Sequence, residues 1–185
     1  MKTRAKRGLW AAGGVAVAAT GLVVARTLRQ SRRTALETVA HVDLDRFVGT
    51  WFEIARFPRH FEAGCAAVTA TYTKRDDGSI VVENTCRKGA PAGPLSVKRG
   101  VAHVVDAESN AKLAVKFFPL VSAPFWIIDV DDEYRWAVVS EPRMKSLWIL
   151  SREPTLDDDV FRVLCAKLDA RGFDLRKLKR TVQPH

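Results

Sequence analysis

Three cysteines, Cys65, Cys86 and Cys165, and four histidines, His41, His60, His103 and His185, are the side chains of this sequence best suited to hold a metal or attack a substrate. Their spacing supports neither role. No two cysteines form a Cys-x-x-Cys pair and the histidines fall singly among them, so the ligand clusters that bind zinc are missing and no metal is expected. There is no Gly-x-Ser-x-Gly elbow and no phosphate-binding glycine loop. Acid/base chemistry needs ionisable groups that converge in one cavity. The inward candidates are Glu53, Tyr72 and His103, each equally readable as a hydrogen-bonded wall residue. The sequence singles out no catalytic residue and calls for no cofactor.

The chemistry that remains is oxidation of two thiols. Cys65 and Cys86 flank a hairpin turn at Asp76-Asp-Gly78 and therefore stand near the far ends of two antiparallel neighbours. Counting outward from that turn, residue 65 meets a partner near 90, so a bond to Cys86 requires a bulge in the pairing. In an oxidising compartment the pair is expected to close, leaving Cys165 as a small buried apolar residue on a C-terminal helix. The competing reading is a cytoplasmic protein with three reduced thiols.

Which compartment applies is a matter for the N-terminus. Residues 1–7 are basic, and residues 8–25 form an uninterrupted run of small and apolar side chains, which reads as a signal anchor or a signal peptide. At 18 residues the run is near the lower limit for a membrane-crossing helix. Small residues at Val17-Ala18-Ala19 and Val23-Val24-Ala25 also suit signal peptidase. No Cys ends the run, as a lipoprotein signal requires. Eight cations precede Glu37, the first acidic residue, so the formal charge of +9 belongs mainly to this end. The body carries no basic stripe with exposed aromatics, which gives no support to nucleic-acid binding. Residues 26–41 are a polar, Arg-rich linker, and residues 42–185 form the folded domain. The expected location is the cell envelope, with the domain on the periplasmic side.

Along the domain the apolar residues alternate in short runs separated by turn residues, which is the pattern of an antiparallel meander. Eight strands are expected: from Thr50, then 66–74, 79–87, 95–106, 112–118, 125–130, 134–140 and 146–152, with a break over 119–124. Eight sequential strands with short links can close into an up-and-down barrel and so remove their edges. A helix capped by Thr155 follows, with Val160, Val163, Leu164 and Leu168 as the stripe that packs on the outside of the barrel, before a stop at Gly172.

The first strand is the most informative. Val42 to Pro58 opens with one helical turn capped by Asp43 and ended by Gly49, then alternates Trp51, Glu53 and Ala55 against Phe52, Ile54 and Arg56. Gly49-Thr50-Trp51, Asp131 with Tyr134, and Arg152 at the end of Leu147-Trp-Ile-Leu-Ser-Arg resemble the three sequence blocks of the lipocalins. The wording is most similar to the bacterial lipocalins, which are apolipoprotein D-like, and the resemblance runs from about Val42 to the C-terminus. It implies an all-β fold with one internal ligand cavity, in which Trp51 closes the floor and Arg152 packs across it.

The lining follows from alternation. With the Thr face of the second strand outside, Val68, Ala70 and Tyr72 point inward, and Leu113, Val115 and Phe117 do so in the fifth. Together with the resemblance, this implies binding of a fatty acid, lysophospholipid or similar lipid, with Arg56, Arg59 or His60 on the loop after the first strand available to a head group. The alternative is a lipocalin-fold enzyme acting on a lipid or other apolar substrate.

Overall fold

The computed structural model describes residues 36–184. The basic start, the apolar run at 8–25 and most of the linker lie outside the described residues. Among the described residues no helix is long and apolar enough to cross a membrane.

A single helical turn, α1 (Leu44–Phe47), precedes nine strands: β1 (Gly49–Arg56), β2 (Cys65–Lys74), β3 (Ile80–Lys88), β4 (Leu95–Val104), β5 (Lys112–Phe118), β6 (Val121–Val130), β7 (Trp136–Ser140), β8 (Leu147–Ser151) and β9 (Lys179–Arg180). Each of the first eight pairs antiparallel with its sequence neighbour, and β1 pairs with both β2 and β8, which closes the barrel. The short β9 lies against the C-terminal end of β1, beyond the reach of β2. Between β8 and β9 runs the helix α2 (Asp158–Ala170).

The barrel separates two apolar clusters. Inside, Phe47, Trp51, Tyr72, Ile80, Val82, Leu113, Val115 and Ile127 pack together. Outside, Leu164 and Leu168 of α2 cover Ile54, Phe57, Ile128, Val138, Leu147 and Ile149. Burying a side chain of this size is worth about 1.5–3 kcal/mol, so the helix is held by the sheet face it covers.

Several boundaries differ from the sequence expectation, each for a local reason. Pro119 and Leu120 alone make the turn between β5 and β6, and β6 accommodates Pro124 in its run from Val121. The cap of α2 is Asp157, whose carboxylate accepts from the amides of Asp159 and Val160, and not Thr155. Val163 is 56 % exposed, because the buried stripe is the narrower one through Leu164 and Leu168. In β1 the pairing with β8 shifts between Glu53 and Ala55. That bulge moves Ala55 to the outer face beside Ile54, and it turns Arg56 toward Glu53.

Candidate functional site

The two ends of the barrel are built differently. At one end Asp43 caps α1 by accepting from the amides of Asp45 and Arg46, and Gly49 follows at φ +95°, a left-handed conformation that glycine takes without Cβ strain. The turn sets Trp51, fully buried, with its indole N–H donating to the Phe47 carbonyl at 2.7 Å. Arg152 covers it, the guanidinium carbon 3.8 Å from the indole centroid. Asp131 accepts from the Arg135 Nε and Nη2 at 2.7 and 2.9 Å, which holds its carboxyl below the usual range. Tyr134 accepts from the Asp43 amide at 2.7 Å and stacks under the Arg46 guanidinium. Gly49, Trp51, Asp131, Tyr134 and Arg152 thus meet at one end of the barrel, which they seal.

Toward the other end lies a cavity of about 320 Å³. Of the expected wall residues, Val68, Ala70, Tyr72, Val115 and Phe117 line it, joined by Val82, Phe125, Trp148 and Leu150. Leu113 does not, because it sits lower in β5, packed in the interior core toward the sealed end. Thr69 borders the cavity although its neighbours on the Thr face do not, at the place where the β2–β3 register shifts. Burial pushes the Tyr72 phenol well above its ordinary pKa, so it stays neutral. The β4–β5 wall is tight: at Gly100 a Cβ would come within 2.6 Å of the Lys116 carbonyl and 2.8 Å of the Phe117 ring, so glycine lets Phe117 lie against β4.

The polar groups of the wall are arranged around one cation. Arg56 pairs with Glu53, donates to Thr181 Oγ1 at 2.8 Å and to the Glu62 carbonyl at 3.2 Å, and its Nε lies 3.6 Å from Glu62 Oε2. Trp148 donates its indole N–H to Glu62 Oε1 at 3.2 Å. Glu62 stands in a one-turn helix at His60–Glu62, and this cluster straps the loop to the barrel. Burial first, then the charge of Glu53, push the Glu62 carboxyl up to about 7. Burial also raises Glu53, against the opposing pull of Arg56. Glu53 is engaged by Arg56 and Thr181, and Glu62 by Trp148 through Oε1, while Glu62 Oε2 has the Arg56 guanidinium at 3.6 Å and no hydrogen bond; the set ties the loop to the barrel.

Two sequence expectations are corrected here. His103 is exposed on the outer face of β4, between buried Ala102 and half-buried Val104, so it cannot take part in chemistry in the cavity. Arg56 is turned inward and occupied by two carboxylates, which leaves it unavailable to a head group. Arg59 and His60 are exposed on the loop beside Phe61 and Glu62, and the cavity wall itself carries Lys88 and Lys98. Glu62 escaped the sequence reading because it lies on a loop and Lys88 because it ends β3, where no period exists, and Lys98 because the inward face of β4 there, Ser96, Lys98 and Gly100, is not apolar. Trp148 was legible, since it alternates with Leu150 on the same strand face.

Cys65 and Cys86 are joined, with Cα atoms 5.4 Å apart, and both border the cavity. Cys65 opposes Lys88, and the register shifts by one between Ala66 and Thr69, with Ala67 at φ +47°. The bulge expected between the two cysteines is present but moves the register by only one residue, so the bond runs diagonally from Cys65 to Cys86, two positions from its direct partner Lys88. Cys165 is free and half-buried, and burial raises its thiol pKa.

Comparison with known proteins agrees with this architecture. The family model described as Lipocalin-like domain matches residues 42–183. Outer membrane lipoprotein Blc of Escherichia coli strain K12 is 37% identical over 172 residues, covering 92% of this chain and 96% of the relative. Temperature-induced lipocalin-1 of Arabidopsis thaliana is 33% identical over 83% of the chain and 86% of its own length, and mouse apolipoprotein D is 32% identical over 76% and 77%. Among solved structures, insecticyanin from the tobacco hornworm Manduca sexta superposes with a TM-score of 0.65 at 22% identity, covering 81% of this chain and 85% of that one, a likeness of fold.

Proposed function

The chain belongs to the lipocalin family, and from that premise we propose that its barrel binds a single-chain lipid, a fatty acid or lysophospholipid, at the cell envelope. The observation that carries this reading is the cavity itself. At about 320 Å³ it stands near the lower end of the range for small-molecule sites, which suits one acyl chain and is too small for two. Its wall is built from Val68, Ala70, Tyr72, Val115, Phe117 and Phe125, which suits a hydrocarbon tail, while Lys88 and Lys98 offer positive charge to an anionic head. The sealed end at Trp51 and Arg152 leaves the opposite mouth for entry.

Binding is favoured over catalysis because the two carboxyls of the wall are tied to Arg56, Thr181 and Trp148 and hold the entry loop in place. The envelope assignment follows the relatives named as outer membrane lipoproteins and the apolar run at 8–25, which would tether the domain or direct its export. The test is lipid extraction from the purified full-length protein with mass spectrometry. A stoichiometric fatty acid or lysophospholipid is expected. A protein that neither carries nor takes up such a lipid refutes the reading, and one that converts it to product makes the protein an enzyme.

A further inference from the structure

The open end of the barrel carries an apolar rim that the fold does not use. Among the described residues nine large apolar side chains are exposed; three of them, Phe61, Phe118 and Val121, border the cavity, Leu120 stands in the turn between Phe118 and Val121, and Leu95 and Val97 flank the lining residue Ser96 on β4. They belong to three adjoining segments. Lys98 stacks on Phe61 at 5.6 Å, Leu95 pairs with Arg87 at the start of β4, and β4 runs beside β5, which ends in Phe118. A patch concentrated in this way marks an interaction surface, since scattered exposed residues would not cluster around one opening.

Leu120 makes the case strongest. It occupies the tip of the two-residue turn between β5 and β6, at φ +69°, with its side chain fully exposed at 102 %. A turn at positive φ favours Gly, Asn or Asp, and water favours a polar side chain there. Leucine meets neither preference, and no contact within the fold compensates it. Its value must lie in something outside the chain.

The charge around the rim identifies the partner. Neither 84–105 nor 109–128 contains an Asp or Glu, while Arg87, Lys88, Lys98, Arg99 and Lys116 stand on these strands. Glu83 is paired with Arg99, and Glu53 and Glu62 are tied to Arg56 at the cavity wall, so the charge left around the tip is positive. An apolar tip in such a basic collar matches the interface of an anionic bilayer, where apolar side chains enter the acyl boundary and cations meet the head groups. We propose that this rim docks on an anionic lipid surface, with Leu120 as the inserting tip, and that the cavity mouth thereby faces the membrane. The surface is distinct from the N-terminal apolar run and would orient the barrel whether or not that run is retained.

The test uses the full-length chain with Cys165→Ala, so that a cysteine introduced by Ser122→Cys, next to the tip, can carry a polarity-sensitive fluorophore. The protein is reconstituted on vesicles of phosphatidylglycerol with phosphatidylethanolamine, and separately on phosphatidylcholine. A blue shift and gain in intensity are expected on the anionic vesicles only, weakened near about 1 M salt, where the Debye length is about 3 Å, and abolished by Leu120→Asp. A probe placed by Glu153→Cys should stay water-like throughout. The proposal is overturned if position 122 stays as water-like as position 153, or if both vesicle types give the same shift. A shift that grows with protein density at constant lipid overturns it too, since that would assign the rim to a second copy or another protein.

Discussion

Arg152 joins four pieces of the chain by lying 3.8 Å over the Trp51 ring while donating to the carbonyls of Arg46, Val48 and Thr50 at 2.7, 3.0 and 2.9 Å and of Tyr134 at 3.3 Å. The carbonyls that end α1 have no intrahelical partners, and a cation is the group best suited to them. Burial lowers the Arg152 pKa, but the group remains charged at any physiological pH.

The first prediction concerns this seal. Arg152→Met keeps the apolar contact with Trp51 and removes the cation and its hydrogen bonds. Charge-assisted bonds to otherwise unpaired carbonyls, with the cation–π contact, put the loss at roughly 2–4 kcal/mol. Denaturant unfolding should show a lower midpoint with the slope unchanged. An unaltered midpoint would remove Arg152 from the closure of the barrel.

Lipid binding should respond to the volume at Ala70. This side chain lies on the cavity wall opposite Asn84 of β3, and a tryptophan there projects into the space a tail would occupy. Ala70→Trp should abolish fatty-acid binding, read by displacement of a fluorescent fatty acid, while circular dichroism shows the barrel intact at a modest stability cost. Wild-type affinity in this variant would place the lipid elsewhere.

The fold was legible in the sequence because a barrel is specified by period and punctuation. Alternation in 68–72 and 113–117, the Asp-Asp-Gly turn and the block around Trp51 each constrain the chain locally, and they agree with one another. Less legible were the features that break the period. The bulge at Glu53–Ala55 moves Ala55 outside and Arg56 to the Glu53 side, and nothing in Glu-Ile-Ala-Arg announces it. Glu62 acquires its environment from Trp148 and Arg56, which come from distant or irregular parts of the chain, so its role follows only from the folded geometry.

Glu62 gives the third prediction, on pH. Its folded pKa of about 7 lies above the ordinary 4.5, so between these values the folded state binds more protons than the unfolded chain. Stability is therefore expected to fall as pH rises from about 4.5 to about 7, by on the order of 3 kcal/mol at most for a shift of this size. Glu53, raised in the same sense, adds to the trend. Glu62→Gln should flatten the thermal midpoint measured across that window. A wild-type profile that climbs with pH instead would contradict the buried, near-neutral Glu62.

The last prediction concerns Cys65 and Cys86, whose bond spans 21 residues of sequence and ties the end of the entry loop to β3. Closing a loop of that length is worth around 3 kcal/mol through the unfolded chain. In the folded state the bond also fixes two wall residues beside the mouth, so its reduction should loosen the entrance before it unfolds the barrel. Two measurements follow. Alkylation of the denatured, unreduced protein should label one cysteine, Cys165, and the count should rise to three after reduction. The paired variant Cys65→Ala with Cys86→Ala should fold with a lower unfolding midpoint and release bound lipid faster than wild type. Three labelled cysteines without reductant would exclude the bond and, with it, the argument from oxidation for an exported domain.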